Sequence, residues 1–350
     1  MFNTYLQEKK SSLLVALDAY LTKQKAQTNL SGTPWGTDAL QRLIDYAKNG
    51  KMIRGGLVYL GYAMQAVDEH PDLEKIALAM ELFHAGLLIH DDIIDNASER
   101  RGMPSIHTSY TELMNKRQSR YPKNTGRSMA ICTGNVAFFL GMQLLSELEN
   151  KEVATFCAKE LQIVNYAQMQ DIALGAATKP VEKIEEILAL YQGKTGRYSV
   201  LLPLTMGAML GSANPSTIKH IQKFSDNIGV AYQLVDDMLD LFGDPKTTGK
   251  AVGTDIKEGK QTPYIFFLRQ LVNESITTRI NELFSKGETT QEDILWVQET
   301  VKVHNIDKKI LEMIENYKKE AIEAITRIPM KPMSHDLILS FVEYLTNRIQ

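Results

Sequence analysis

Apolar residues recur at intervals of three and four along nearly every long stretch of this chain, and almost nowhere at intervals of two. Between residues 73 and 95, Ile76, Ala79, Met80, Phe83 and Leu87 fall on one stripe, the signature of a helix with a buried face. Ile187, Leu188 and Tyr191 repeat the pattern, as do Ile221, Phe224, Ile228, Tyr232 and Val235. Asn214-Pro215 reads as a helix cap followed by proline in the first turn. Gly193 and Gly196 bracket an expected helix break at Lys194-Thr195. No period-two runs bounded by hairpin turns occur. The pattern predicts an all-α protein of ten or more helices with essentially no sheet. Three loops are expected: residues 28–37, the basic stretch 115–127, and the Gly- and Lys-rich segment 243–263. None divides the chain. Although a length of 350 residues allows two domains, the expectation is one domain over 1–350.

Composition narrows the class. A 44% hydrophobic and 23% charged chain suits a globular protein and argues against long disorder. A formal net charge of −3 opposes a general affinity for nucleic acid or anionic membrane. Two cysteines, Cys132 and Cys157, are too few for a disulfide framework or a four-thiolate zinc site. The N-terminus lacks the three-part pattern of a signal peptide. The apolar run from Ile76 to Ile89 is interrupted by Glu81 and His84, and that near Val200 by Pro203. A soluble, cytoplasmic protein without stable membrane insertion is therefore expected.

The chemistry lies in two acidic segments. His90-Asp91-Asp92-Ile93-Ile94-Asp95 and Asp236-Asp237-Met238-Leu239-Asp240 both carry DDxxD near the end of an apolar-periodic helix. Residues i and i+4 share a face, so Asp91 pairs with Asp95 and Asp236 with Asp240. Carboxylates are disfavoured at a helix C-terminus by the macrodipole, and like charges this close need a cation between them. Mg²⁺ suits such a face, since it takes one or two carboxylates and fills its other positions with water and phosphate oxygens. Cationic residues are set among glycines: Lys51 and Arg54, Arg100 and Arg101, then Lys194, Lys250, Lys257 and Lys260. Together they suggest a helical cavity holding two polyphosphate groups, one through metal and one through direct Lys and Arg contacts. A zinc site on His84 and His90 is disfavoured, because residues six apart lie on different helix faces.

These residues resemble a known family. ELFHAGLLIHDDIIDNASERRGMPSIH is similar to the first aspartate-rich region of the trans-isoprenyl (polyprenyl) diphosphate synthases, and VAYQLVDDMLDLFGD to their second. GKMIRGG resembles the family's GKxxRP element, KTG its lysine-threonine segment, and GKAVGTDIKEGKQTP its late lysine loop. The resemblance implies mostly antiparallel helices around a deep central cavity, usually in a homodimer. It also implies head-to-tail condensation of isopentenyl diphosphate with an allylic diphosphate. Asp91, Asp95 and Asp236 would bind magnesium, three ions per active site with substrate bound. Asp92, Asp237 and Asp240 would support them, and Arg100, Lys194, Lys260 and Lys250 would contact the allylic diphosphate. Lys51, Arg54, His84 and Arg101 fall where the family holds isopentenyl diphosphate. Thr195 and Gln233 fall where oxygens face the carbocation.

Product length follows from the same resemblance, in which bulky residues four and five positions before the first aspartate form the floor for short products. Here these are Leu87 and Gly86. Gly86 is expected to leave room for a farnesyl tail. Phe83 and then Met80, on deeper turns, would stop growth near twenty carbons, giving geranylgeranyl diphosphate. Farnesyl or longer products are the alternatives, with a class I terpene cyclase or a non-catalytic partner subunit as more distant ones. Three departures stand out. Gly55 replaces the usual proline after Arg54 and is expected to loosen that turn. Asn135 replaces a common aspartate, where a local cap is expected to differ. The basic stretch near residue 120 is long.

Overall fold

A computed structural model describes residues 1–27, 34–66, 68–177, 179–244, 252–271, 273–285 and 289–347. These residues form helices joined by short connections, and the expected all-α class holds. The chain groups into two compact units. The first holds essentially residues 3–156 and 206–212, the second 157–205 and 213–350.

The first unit contains α1 (Phe2–Gln27), α2 (Trp35–Lys48), α3 (Ile53–Ala63), α4 (Leu73–Ile94), α5 (Ile106–Lys116), α6 (Pro122–Ser146) and the start of α7 (Lys151–Gly175). α4 packs against α3 and α6, and α6 also against α5. Along α4, Ile76, Ala77, Ala79, Met80 and Phe83 are wholly buried. Each large apolar side chain so buried contributes about 1.5–3 kcal/mol. The α4–α6 crossing is close because glycines line it. A Cβ on Gly86 would lie 2.9 Å from the Gly134 carbonyl oxygen, and one on Gly141 would lie 2.7 Å from the Phe83 ring.

Between α4 and α5 the chain makes a minimal antiparallel ribbon, β1 (Glu99–Arg100) against β2 (Met103–Pro104). Its turn residues Arg101 and Gly102 both have positive φ, 56° and 74°, as a two-residue type I′ hairpin requires. The sequence pattern did not anticipate it. The basic stretch 115–127 also departs from expectation. α5 runs to Lys116 and α6 begins at Pro122, so most of it is helical. Asn135 lies exposed in the interior of α6, where it caps nothing. By length and composition α6 is able to cross a membrane, contrary to the sequence reading. Even so, 44% of its most apolar stretch is buried inside the chain.

The second unit carries the rest of α7, then α8 (Ile184–Tyr191), a π-helix (Gln192–Leu201), the start of α9 (Leu202–Leu210), and α10 (Pro215–Phe242). Five more helices follow α11 (Thr254–Lys257): α12 (Pro263–Leu271), α13 (Glu274–Ser285), α14 (Gln291–Val303), α15 (Ile306–Ile325) and α16 (Pro332–Thr346). Ile187, Leu234, Val235, Leu268, Val301 and Ile310 are among the buried residues of one apolar cluster at its centre. α10 starts as predicted, with Asn214 accepting the Thr217 amide at 2.9 Å. The expected break at Lys194-Thr195 is instead a change of winding. α8 runs into the π-helix without interruption, and the Leu202 N–H bonds the Arg197 carbonyl, five residues back.

Candidate active site

In the first unit, the second half of α4 leaves one face partly open. That stripe carries His84, Leu87, Leu88 and Asp91 and ends at exposed Asp95. Asp91 and Asp95 thus share the open face, while Asp92 turns inward and is only 1% exposed. The Arg100 guanidinium meets Asp92 with Nε at 2.7 Å and with Nη2 as well, and lies 3.6 Å from Asp91. Burial pushes the Asp92 carboxyl above its usual range, and the bond from Arg100 offsets this. Asp92 Oδ2 is buried and finds no hydrogen-bond partner among the described residues. The β-ribbon holds Arg100 against the acidic turn.

The cations expected to hold a second diphosphate also gather within this unit. Arg54 Nη1 lies 3.0 Å from His84 Nε2, and Arg101 Nη2 lies 3.5 Å from the same nitrogen. Burial, then the Arg54 and Arg101 charges, hold the His84 imidazole well below its usual pKa. It is therefore neutral at pH 7, and its Nε2 lone pair accepts from Arg54. Lys51 is exposed, just before Met52, whose φ of 54° starts α3. The α3 amides of Arg54 and Gly55 donate to the buried carboxylate of Glu81 on α4, the Gly55 bond at 2.8 Å. Gly55 is thus tied down, contrary to the expected loosening.

Gly86 does not open space as the sequence suggests. The Phe138 ring of α6 fills the room its side chain would take, at 2.9 Å from a Cβ placed there. Phe83 faces the same helix, its ring over Gly141 and 6.1 Å from that of Phe138. Leu87 stays on the open stripe, and Met80 is wholly buried.

In the second unit, Asp236 is half-buried and Asp237 is 4% exposed. Asp237 accepts the Tyr191 hydroxyl at 2.5 Å and the Gln233 amide at 3.2 Å. Burial and the nearby Asp255 charge push its carboxyl well above the usual range. Gln233 is fixed at both ends of its amide, since its Oε1 accepts from Thr195 Oγ1 at 3.0 Å. Asp240 accepts the Thr254 and Asp255 amides, each at 3.1 Å, and the Thr254 hydroxyl, anchoring α11 to α10. Lys194 pairs with Asp171 at 2.5 Å. Lys260 pairs with Asp255 at 2.9 Å and Glu258 at 2.8 Å. Burial works to lower the Lys260 pKa, but these two carboxylates outweigh it and hold it above the usual value. Lys250 lies outside the described residues.

Glu81, Asp171, Tyr191 and Asp255 are the partners that sequence reasoning missed. Asp255, five residues before Lys260 in the same glycine-flanked segment, was the most accessible of them. Asp171 is 23 residues from Lys194 with nothing in the spacing to join them. The donor set fits magnesium. Asp91 and Asp95 offer two carboxylates on one accessible face, and Asp236 a third on its own helix. Among the described residues no three His, Cys, Asp or Glu side chains gather to hold an ion alone. Mg²⁺ asks for fewer, completing its shell with water and phosphate oxygens.

Comparison with known proteins shows what the whole chain is similar to. Residues 37–301 match the family model described as polyprenyl synthetase. A short chain isoprenyl diphosphate synthase of Methanocaldococcus jannaschii is 30% identical over 249 residues, covering 70% of each chain. A geranylgeranyl diphosphate synthase of Saccharolobus solfataricus is 26% identical over 279 residues, covering 78% of each. The solved structure of geranylgeranyl pyrophosphate synthase from Corynebacterium glutamicum, complexed with isoprenyl diphosphate and magnesium, superposes with a TM-score of 0.88 at 25% identity. That match covers 98% of this chain and 99% of the other.

Proposed function

We propose, for a chain that belongs to the polyprenyl synthetase family and is a trans-prenyl diphosphate synthase, that it makes geranylgeranyl diphosphate. It would do so by condensing isopentenyl diphosphate with an allylic diphosphate. The observation that carries the site assignment is the division within each acidic motif. In each motif one carboxylate is only partly buried while its neighbour is buried against a protein partner: Asp91 beside Asp92, which meets Arg100, and Asp236 beside Asp237, which accepts from Tyr191.

Asp91, Asp95 and Asp236 would hold magnesium, which when bound neutralises the departing allylic diphosphate and so favours breaking its carbon–oxygen bond. Asp92 sets Arg100 for that diphosphate. Asp171 sets Lys194, and Asp255 with Glu258 sets Lys260, for the same task. Preorganised charges of this kind cost no reorganisation as charge develops. Lys51, Arg54 and Arg101 would bind the diphosphate of isopentenyl diphosphate, with neutral His84 between the two arginines. Asp237 and Thr195 hold Gln233 in place, so its amide oxygen and the Thr195 hydroxyl would be the fixed oxygen dipoles offered to the allylic cation. The departed diphosphate takes the final proton, and no side-chain base is assigned.

The twenty-carbon length rests on the α4 stripe. It is partly open from Asp95 down to His84, and on the next turn Met80 and Phe83 are wholly buried, Phe83 against α6. Because Phe138 fills the space at Gly86, a bulky residue there would displace α6, so Phe83→Ala is the informative variant. It should lengthen the product by one or more isoprene units, and an unchanged product distribution would place the floor elsewhere. The one family model running through both compact units supports a single synthase domain over 1–350. Ile131, Phe139 and Met142 form an exposed apolar stripe on α6, which supports a homodimer. Sedimentation equilibrium tests that state. A cytoplasmic location completes the proposal, to be tested by fractionation.

A further inference from the structure

α3 begins abruptly. Met52 sits in the left-handed region, and the next residues must enter a helix whose first amides have no partner within it. The Arg54 and Gly55 amides find one in Glu81, a carboxylate from α4 that is only 5% exposed. A negative charge at a helix N-terminus is stabilised by the aligned peptide dipoles, and a buried carboxylate needs such donors to stay charged. Glu81 lies three residues before His84, so both occupy one face of α4. The same helix therefore supplies the carboxylate that grips the Arg54 backbone and the imidazole that meets the Arg54 guanidinium at 3.0 Å. The bond at Gly55 is possible only because this chain lacks a proline there, since proline has no N–H to give. A Cβ at this position would also lie 2.7 Å from Leu13 Cδ1.

We infer that Glu81 is a positioning residue for the second diphosphate: it pins the first turn of α3 and so holds Lys51 and Arg54 in place to bind it. The inference rests on the reading that Lys51 and Arg54 hold isopentenyl diphosphate. Without the pin, the two cations would have to be ordered by substrate at each binding event. The cost would fall on affinity for one substrate rather than on the chemical step.

The test is steady-state kinetics of the full-length enzyme with both substrates varied. Glu81→Gln keeps the side chain's size and removes its charge. It should raise the KM for isopentenyl diphosphate by about tenfold, the value of one charge-assisted contact. The KM for farnesyl diphosphate should stay within about twofold. Gly55→Pro removes one donor and should shift the same KM in the same direction. The double variant should be no worse than the more damaged single one, because both changes break one linkage. Equal effects on both substrates, no effect on either, or multiplying effects in the double variant would overturn the positioning role. Arg54→Ala separates the two layers. If it leaves the isopentenyl diphosphate KM unchanged, the diphosphate reading itself fails. If it raises that KM while Glu81→Gln does not, only the inference about Glu81 fails.

Discussion

Adding one methyl group at Gly196 should damage catalysis more than stability. Gly196 lies in the π-helix directly after Lys194 and Thr195, facing the backbone of α10. An alanine Cβ there would stand 2.7 Å from the Ser225 carbonyl oxygen and 3.4 Å from Gly229 Cα. Ordinary contact begins near 3.4 Å, so the π-helix must back away from α10 by about 0.7 Å. Overpacking of this kind costs about 1–3 kcal/mol. Replacing glycine with alanine in a helix returns up to about 1 kcal/mol. The net loss of stability should therefore be about 0–2 kcal/mol, and the protein should stay folded. Thr195 would move with its neighbour, straining its 3.0 Å bond to Gln233. Lys194, paired with Asp171, would shift too. Misplacing catalytic groups by about 1 Å costs on the order of 10²-fold, so a shift of this size should lower kcat by about ten- to a hundredfold. Gly175→Ala is the control, since a Cβ there meets nothing within 4 Å, and it should leave kcat unchanged. The assay pairs single-turnover rates with thermal melts for both variants. A Gly196→Ala enzyme with normal kcat would refute the tight seating of the π-helix on α10.

Asp91→Ala and Asp236→Ala should each lower kcat by on the order of 10²–10³ with unchanged circular dichroism; near-normal rates at saturating Mg²⁺ would remove them from the metal site. Arg197→Ala should destabilise the protein by about 3–5 kcal/mol. It leaves Glu160, 5% exposed in its side chain and bridged by Arg197 at 2.7 and 2.8 Å, as an unpaired buried charge; a denaturant titration measures the loss. Because the His84 pKa is lowered in the folded state, the unfolded chain takes up the proton first as pH falls. The resulting stability is full above about pH 6.5 and is lost on acidification below it. His84→Gln should flatten that part of the stability–pH curve, and an unchanged slope would show that His84 does not carry it.

What was legible in the sequence depended on how local the physics is. The acidic motifs were readable because a spacing of four puts two carboxylates on one helix face whatever the surroundings. The Asn214 cap was readable for the same reason. Gly193 and Gly196 were misread as a break because periodicity separates helix from strand but not α from π winding. The reason for Gly196, a close approach to Ser225 and Gly229, lies about thirty residues away. The stretch 115–127 looked like loop because its residues are polar, yet between residues 122 and 129 α6 buries only Gly126 and so shows no apolar face there. Glu81 registered only as an interruption in an apolar run. Its purpose, closing the start of α3, depends on a contact 26 residues distant. Gly86 and Phe83 carry the same lesson. A helical wheel tells which residues share a face, but not that Phe138 occupies the space beside them.

The most direct measurement of the central claim is product analysis. The purified chain alone is incubated with isopentenyl diphosphate, Mg²⁺ and farnesyl diphosphate, and the extracted products are resolved by chain length with and without a chelator. The expected product is an all-trans twenty-carbon diphosphate whose formation requires both substrates and stops when the metal is removed. Hydrocarbon formed from farnesyl diphosphate alone, or turnover that appears only with a second polypeptide, would contradict it.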